Sequence, residues 1–160
     1  MVLTAGDPAP PFTLEGVHDG ARRTYSLAEY AGRTVVLIFY PGDNTPVCTR
    51  QLNAYTTDID QFLELDAQLL GLSPDDVDSH EGFAEHQGGF AFPLLADTDK
   101  DVAKAYGVLG PVGFYRRCVF VVDPSGTVTY VHRGFAGSTF RQTPELLAAI
   151  RQARSTPTQA

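Results

Sequence analysis

The sequence predicts an α/β fold in which a mixed β-sheet lies between two layers of helices and is extended by β structure at the N-terminus. Two apolar runs, within residues 33–39 and 67–73, are typical of strands buried on both faces. Each run is followed by turn residues and then by apolar residues about 3.6 positions apart, which indicates helices and therefore parallel pairing of the strands they connect. The turn at residues 123–126 lies between two further apolar runs and predicts an antiparallel hairpin.

The first thirty residues are expected to be mostly extended. Three prolines exclude a helix from residues 5–14, which are expected to lead into a short strand. Residues 16–20 are expected to form a turn, and residues 23–25 a second short extended segment. Ser26 can cap a short helix that ends near residue 30.

Helices and strands alternate after residue 33. Thr45 and Pro46 have the residue types of an N-cap and of a first helical position, and the helix they begin is expected to break near residues 56–58. The other predicted elements are a strand over 67–73, a helix from 78 or 79 to about 87, a strand over 92–96, a helix over 99–106, strands over 117–122 and 127–131, and a helix over 143–154. We expect one domain spanning residues 1–160, with a frayed tail at 155–160.

Composition narrows the range of partners. The chain has 160 residues, of which 43% are hydrophobic and 19% are charged, and its net charge is −7. Because no basic cluster exceeds a pair of arginines, neither nucleic acid nor an anionic membrane surface is expected as a partner. No apolar run approaches the roughly 20 residues of a membrane helix, and no secretory signal is visible. Two cysteines do not make a disulfide framework, so a cytoplasmic location is expected.

Cys48 follows the first buried strand and falls in the first turn of the helix that begins near Thr45. The N–H groups of a first helical turn have no acceptor within the helix, and the helix dipole is positive at this end. Both features favour a thiolate over a thiol. Since the thiolate is the nucleophilic form of cysteine, the sequence predicts a reactive residue at this position.

The residues around Cys48 resemble the active-site signature of a known family. The motif Pro41-x-x-x-Thr45-x-x-Cys48 resembles that of the peroxiredoxins, which are thiol peroxidases on a thioredoxin-like fold. Residues 6–12 are similar to the opening segment of that family, and residues 117–126 are similar to its arginine strand and hairpin. The active-site stretch and the chain length most resemble the bacterioferritin comigratory protein branch.

The resemblance implies a role for each residue of the motif. The Cys48 thiolate would attack one peroxide oxygen, while the other leaves as hydroxide or alkoxide. Arg117 would stabilise the thiolate and hold the peroxide oxygens, Thr45 would accept a hydrogen bond from the bound peroxide, and Pro41 would shield the sulfur from water. The backbone N–H groups of Val47 and Cys48 would add donors.

Tyr40 and Gln51 are further candidates for substrate binding. Gln51 stands where the branch often carries a carboxylate, which leaves its role open. The expected substrates are hydrogen peroxide or organic hydroperoxides. The expected reductant is a thiol such as thioredoxin, a glutaredoxin or a low-molecular-weight thiol, with no cofactor. The protein is expected to be a monomer or a homodimer.

The second cysteine decides how Cys48 is reduced. Many members of the branch carry a resolving cysteine five positions after the reactive one, where this chain has Asn53. Cys118 directly follows Arg117 on a predicted strand, and neighbouring side chains of a strand point to opposite faces. If Arg117 faces Cys48, then Cys118 points away and a one-cysteine mechanism is expected. If Arg116 faces the site instead, Cys118 can approach and resolve a disulfide.

The residues give less support to other classes of function. A disulfide reductase of the thioredoxin type needs a second thiol three positions after Cys48, and Gln51 stands there. The four histidines, His18, His80, His86 and His132, show no metal-ligand spacing and are interpreted as solvated or structural. No phosphate loop or dinucleotide-binding glycine pattern is present. A non-catalytic binding or chaperone module on the same fold remains an alternative.

Overall fold

The structure is a computed structural model, and it describes residues 3–134 and 139–155. Its strands are β1 (Thr13–His18), β2 (Ala21–Ser26), β3 (Thr34–Phe39), β4 (Ala67–Ser73), β5 (Leu94–Ala96), β6 (Cys118–Val122) and β7 (Val128–Arg133). Its α-helices are α1 (Pro46–Thr57), α2 (Ile59–Leu63), α3 (Val77–His86), α4 (Asp101–Tyr106) and α5 (Thr143–Ser155), with a 3₁₀ helix over Leu27–Tyr30. The order of elements agrees with the order predicted from the sequence.

The strands form one mixed sheet in the order β2-β1-β5-β4-β3-β6-β7. β3, β4 and β5 pair in parallel, whereas β1, β2, β6 and β7 join the sheet in antiparallel pairs. The chain from β3 through β4 to β5 crosses over through helices, as parallel pairing requires, and the two outer pairs, β1–β2 and β6–β7, are hairpins. The hairpins join the parallel strands through the antiparallel pairs β1–β5 and β3–β6. The prediction of a mixed sheet in an α/β fold is confirmed.

Alternation along β3 explains why both faces of the sheet are covered. Val36 and Ile38 pack into one apolar cluster with α1, α2, α3 and α5. Val35, Leu37 and Phe39 pack into a second cluster with α4, the 3₁₀ helix and the N-terminal segment. None of these five side chains is more than 2% exposed. The uninterrupted apolar run of β3 is therefore that of a strand covered by other elements on both faces of the sheet.

The break predicted near residues 56–58 is present. α1 ends at Thr57, and Asp58 leaves helical geometry with φ −96° and ψ 14° before α2 begins. The carboxylate of Asp58 accepts a hydrogen bond of 2.7 Å from the hydroxyl of Thr143, the first residue of α5. The bend thus fixes the position of α5 against the layer that contains α1.

The expected turn over residues 16–20 is wrong over its first three residues, which belong to β1. Gly16 lies inside β1, opposite Arg23 of β2, and the turn itself is made by Asp19 and Gly20, whose φ values are 52° and 76°. A Cβ atom on Gly16 would lie 2.5 Å from a methyl carbon of Leu95. The glycine therefore allows β1 to approach β5 and does not mark a bend.

The ends of the chain follow the sequence only in part. The segment before β1 contains no helix, as predicted, but it is not extended throughout, because residues 4–7 form a turn closed by a hydrogen bond of 3.1 Å from the N–H of Asp7 to Thr4 O. The segment pairs with β7 through the N–H of Gly6, which donates to Val128 O at 2.7 Å. The expected frayed tail lies outside the described residues except for Ser155, which belongs to α5. None of the helices within the described ranges is long and apolar enough to cross a membrane.

Candidate active site

The connection from β3 to α1 carries the predicted reactive cysteine. The N–H of Tyr40 donates to Leu72 O at 3.0 Å, so pairing with β4 continues for one residue beyond β3. Residues 41–45 form a loop, and Thr45 has the extended backbone of an N-cap, with φ −92° and ψ 147°. Cys48 is therefore held in the first turn of α1, at the carboxyl end of a central strand.

The first turn of α1 carries backbone N–H groups that have no acceptor within the helix. The first hydrogen bond of α1 runs from the N–H of Thr49 to Thr45 O and is 2.9 Å long. The N–H groups of Val47 and Cys48 come before it, at positions where a helix provides no acceptor. Cys48 is fully buried. A helix N-terminus is a position that favours negative charge on a cysteine side chain.

Thr45 occupies the N-cap position, but its side chain does not cap α1. Its hydroxyl donates to Gly42 O at 3.1 Å, and it accepts no hydrogen bond from an amide of the first turn. The only hydrogen of the hydroxyl is used in this bond. The oxygen of the exposed Thr45 side chain can therefore accept a hydrogen bond from a ligand.

Arg117 is the arginine that contacts Cys48. Its Nη2 donates to Cys48 Sγ at 3.3 Å, and its Nη1 donates to Gln51 Oε1 at 2.6 Å. The side chain is almost fully buried, with 6% exposed. Because Gln51 is neutral, it orients the guanidinium without adding a negative charge beside it.

The register of the sheet explains why Arg117 reaches this position. Cys118 of β6 lies opposite Phe39 of β3, so Arg117 follows at the level of Tyr40. Residues opposite one another in adjacent strands share a face, and Tyr40 belongs to the cluster that contains Cys48. Arg116 comes one residue earlier, where alternation places the side chain on the opposite face of the sheet, and its Nε donates to Gly134 O at 3.2 Å.

Gln51 is held by a second contact behind it. Its Nε2 lies 3.4 Å from the hydroxyl of Tyr55, which donates to Arg141 O at 2.5 Å. Burial raises the pKa of Tyr55 to about 12, so the phenol keeps its proton at neutral pH. This chain of hydrogen bonds fixes which end of the Gln51 amide faces Arg117.

Cys118 lies on the other face of the sheet. It belongs to the cluster with Phe120 and Val122, whereas Cys48 belongs to the cluster with Val119 and Val121. Cys118 is fully buried, and burial raises the pKa of its thiol to about 11. The sheet therefore separates the two cysteines, and Cys118 is a protonated thiol at neutral pH.

Replacing Cys118 with alanine is expected to change how stability depends on pH. Between about pH 9 and pH 11 the folded protein keeps the Cys118 proton that the unfolded chain has lost, so the free energy of unfolding falls as pH rises through this window. By pH 10.5 this contribution is about 2 kcal/mol. Urea titrations at pH 8 and pH 10.5 measure how far the free energy of unfolding falls between the two pH values. This fall should be smaller in Cys118→Ala than in the wild type by that amount. Equal losses in the two proteins would contradict the assignment.

Tyr40 does not contact Cys48 through any hydrogen bond of the described residues. Its hydroxyl donates to Asp43 Oδ1 at 2.7 Å and lies 3.4 Å from Nδ1 of His80. Pro41 is exposed at the start of the loop. The pairing of Asp43 with His80 is not predictable from the sequence, because these residues are 37 positions apart and meet only in the fold. In residues 3–134 and 139–155, no group of three or more His, Cys, Asp and Glu is arranged to hold a metal ion.

The chain is similar to known proteins over most of its length. The model of the AhpC/TSA family matches residues 5–131. A peroxiredoxin of Thermoplasma volcanium is 34% identical over 157 residues, which cover 94% of this chain and 75% of the relative. Peroxiredoxin 2 of Thermoplasma acidophilum is 36% identical over 152 residues, covering 91% of this chain and 74% of the relative. The solved structure of Mycobacterium bovis AhpC superposes with a TM-score of 0.87 at 28% identity, covering 100% of this chain and 97% of that one.

Proposed function

This chain belongs to the AhpC/TSA family and is a thiol-dependent peroxidase with a thioredoxin-like fold, and on that premise we propose that Cys48 is the nucleophile that reduces the peroxide. The observation that carries the proposal is the 3.3 Å hydrogen bond from Arg117 to Cys48 Sγ at the N-terminus of α1. A buried guanidinium and a helix N-terminus both stabilise a thiolate.

In the proposed reaction the thiolate of Cys48 attacks the nearer oxygen of a hydroperoxide. A sulfur–oxygen bond forms, the oxygen–oxygen bond breaks, and the leaving hydroxide or alkoxide takes a proton to become water or an alcohol. Arg117 and the N–H groups of Val47 and Cys48 donate where negative charge moves from sulfur to the leaving oxygen. The product on the protein is a sulfenic acid at Cys48.

The loop before α1 orients the substrate in this proposal. The Thr45 oxygen accepts the hydrogen of the hydroperoxide, since its own hydrogen is already donated to Gly42. Pro41 shields the sulfur with an apolar ring that has no N–H. Gln51 and Tyr40 contribute indirectly: Gln51 holds Arg117, and Tyr40 is bonded to the loop at Asp43.

We further propose a one-cysteine mechanism within the bacterioferritin comigratory protein branch. Cys118 lies across the sheet from Cys48 and keeps its proton, so an external thiol reduces the sulfenic acid. Thioredoxin, a glutaredoxin or a low-molecular-weight thiol can supply the two electrons. Such reductants are abundant in the cytosol, which is the location proposed for the protein as a monomer or homodimer.

Intact mass after oxidation tests the mechanism. Reduced protein treated with one equivalent of hydrogen peroxide, and no reductant, is expected to gain oxygen, as a sulfenic acid or its further oxidation product does. The Cys118→Ala variant should gain oxygen in the same way. A protein lighter by two hydrogen atoms contains a disulfide, and if Cys118→Ala fails to form it, the one-cysteine mechanism is wrong.

A further inference from the structure

A buried polar cluster lies beneath the loop over residues 41–45, and the reaction described above uses none of its charged groups. The cluster, called the Asp43 cluster below, consists of Tyr40, Asp43, Ser73, Asp75, Ser79 and His80. The side chains of His80 and Asp43 are 0% and 1% exposed. Groups of this polarity are stable in a protein interior only when they are paired and hydrogen-bonded, so their positions depend closely on one another.

The carboxylate of Asp43 is the centre of the cluster. Oδ1 accepts from the hydroxyl of Tyr40 at 2.7 Å. Oδ2 accepts from the hydroxyl of Ser79 at 2.8 Å and lies 2.7 Å from Nδ1 of His80. The side chain is therefore held on both oxygens, and two of the three contacts come from α3.

His80 holds Asp43 with an imidazole that is itself fixed. Its Nε2 lies 2.9 Å from Leu95 O in β5. A carbonyl oxygen only accepts, so Nε2 carries a hydrogen. A single proton then lies between Nδ1 and the Asp43 carboxylate, which makes this contact a charge-assisted hydrogen bond. His80 thus connects the loop to β5 through one ring.

The backbone of Asp43 is tied to the same part of the fold. Its N–H donates to Asp75 Oδ2 at 2.7 Å, and the same oxygen accepts from the hydroxyl of Ser73 at 2.9 Å. Residues 73–80 span the end of β4 and the start of α3. Both the side chain and the backbone of Asp43 are consequently anchored to the β4–α3 connection.

We propose that His80 is a positioning residue for peroxide reduction, which acts through Asp43 on the loop that presents Pro41 and Thr45 to Cys48. Asp43 is two residues from each of the two loop residues, and Asn44 between Asp43 and Thr45 has a left-handed backbone with φ 62°. A shift of Asp43 is therefore transmitted to Thr45. The thiolate itself is stabilised by Arg117 and α1, which the Asp43 cluster does not touch through any hydrogen bond of the described residues.

Two substitutions of His80 separate its two hydrogen bonds. In His80→Gln the amide nitrogen can replace Nε2 and keep the bond to Leu95 O, but the bond to Asp43 is lost. In His80→Asn the amide nitrogen can replace Nδ1 and keep the bond to Asp43, but the bond to Leu95 is lost. Both variants lose one buried hydrogen bond, so both are expected to unfold at a lower temperature than the wild type.

Two reactions of Cys48 are measured for each protein by stopped flow. The rate constant with hydrogen peroxide is expected to fall about 10- to 100-fold in His80→Gln, the size that follows when a positioning group shifts, and by less than about threefold in His80→Asn. The rate of alkylation by iodoacetamide needs the thiolate but not the loop, and is expected to change by less than about threefold in both. If His80→Gln does not fold, Ser79→Ala removes a milder contact to Asp43 and should slow the peroxide reaction alone by about threefold to tenfold.

The outcomes distinguish this inference from the proposed function on which it rests. If the wild type does not react with peroxide, the proposed function fails, and the positioning role fails with it. If the wild type reacts and His80→Gln reacts equally fast, only the positioning role is wrong. Equal losses in the two His80 variants, or parallel losses of the peroxide and alkylation reactions, mean that His80 supports folding and does not position the loop.

Discussion

Replacing Cys48 with serine is expected to remove the peroxidase activity, with a loss of the order of 10⁶, which is the size expected when an enzyme loses its nucleophile. A serine hydroxyl fits the same position but is not ionised by a guanidinium at 3.3 Å and a helix N-terminus. The measurement is consumption of hydrogen peroxide in the presence of dithiothreitol, followed by stopped flow for the first turnover.

The control for this experiment is Cys118→Ala, which removes the other thiol on the far face of the sheet. It is expected to keep its first-turnover rate, since the Cys118 side chain packs in the cluster on the other face of the sheet from Cys48. Peroxide consumption that survives in Cys48→Ser would contradict the assignment of Cys48. A fold that binds partners without catalysis would instead show no peroxide consumption in the wild type.

Replacing Arg117 with methionine is expected to slow the reaction with peroxide by about 10²–10³-fold, the loss typical of removing one preorganised donor from a developing negative charge. Methionine fills much of the same volume but provides neither the bond to Cys48 Sγ nor the bond to Gln51. Unlike His80→Gln, this variant should also alkylate more slowly, because the thiolate loses its cation. The peroxide rate of Arg117→Lys should lie between those of the wild type and Arg117→Met, since an ammonium keeps the charge but not the two donors of the guanidinium.

Arg116 offers a matched control for Arg117. It precedes Arg117 in the chain, has its side chain on the opposite face of the sheet and donates to Gly134 O. Arg116→Lys is expected to change the peroxide rate by no more than about twofold. If Arg116→Lys and Arg117→Lys lose the same activity, Arg117 does not act through its hydrogen bond of 3.3 Å to Cys48 Sγ.

The strand–loop–helix around Cys48 is predictable because each of its signals is local. The apolar run of β3, the N-cap position of Thr45 and the proline at the first position of α1 all lie within 15 residues of one another. The opposite orientations of Arg117 and Cys118 are also predictable locally, because neighbouring side chains of an extended chain point to opposite faces of the sheet. Backbone geometry and side-chain alternation at this range depend on the residues themselves.

The errors have a different origin. Gly16 is predicted to start a turn, because a glycine that allows one strand to approach another has the same appearance in a sequence as one that bends the chain. The hydroxyl of Thr45 is expected to cap α1, and it donates to Gly42 instead because of the shape of the loop. In both cases the contact that decides the role exists only after folding.

By itself, the sequence determined the order of the elements, the position of Cys48 at a helix N-terminus and the opposite orientations of Arg117 and Cys118, because periodicity, capping and alternation act over a few residues. It left open which of Arg116 and Arg117 faces Cys48, and the register of β6 against β3 decides this in favour of Arg117. Only the tertiary structure decided that Gln51 holds Arg117 and that His80 pairs with Asp43, 37 residues away. Such pairs carry no local signal, since they form when the register of a sheet and the packing of a helix bring distant residues within 3 Å.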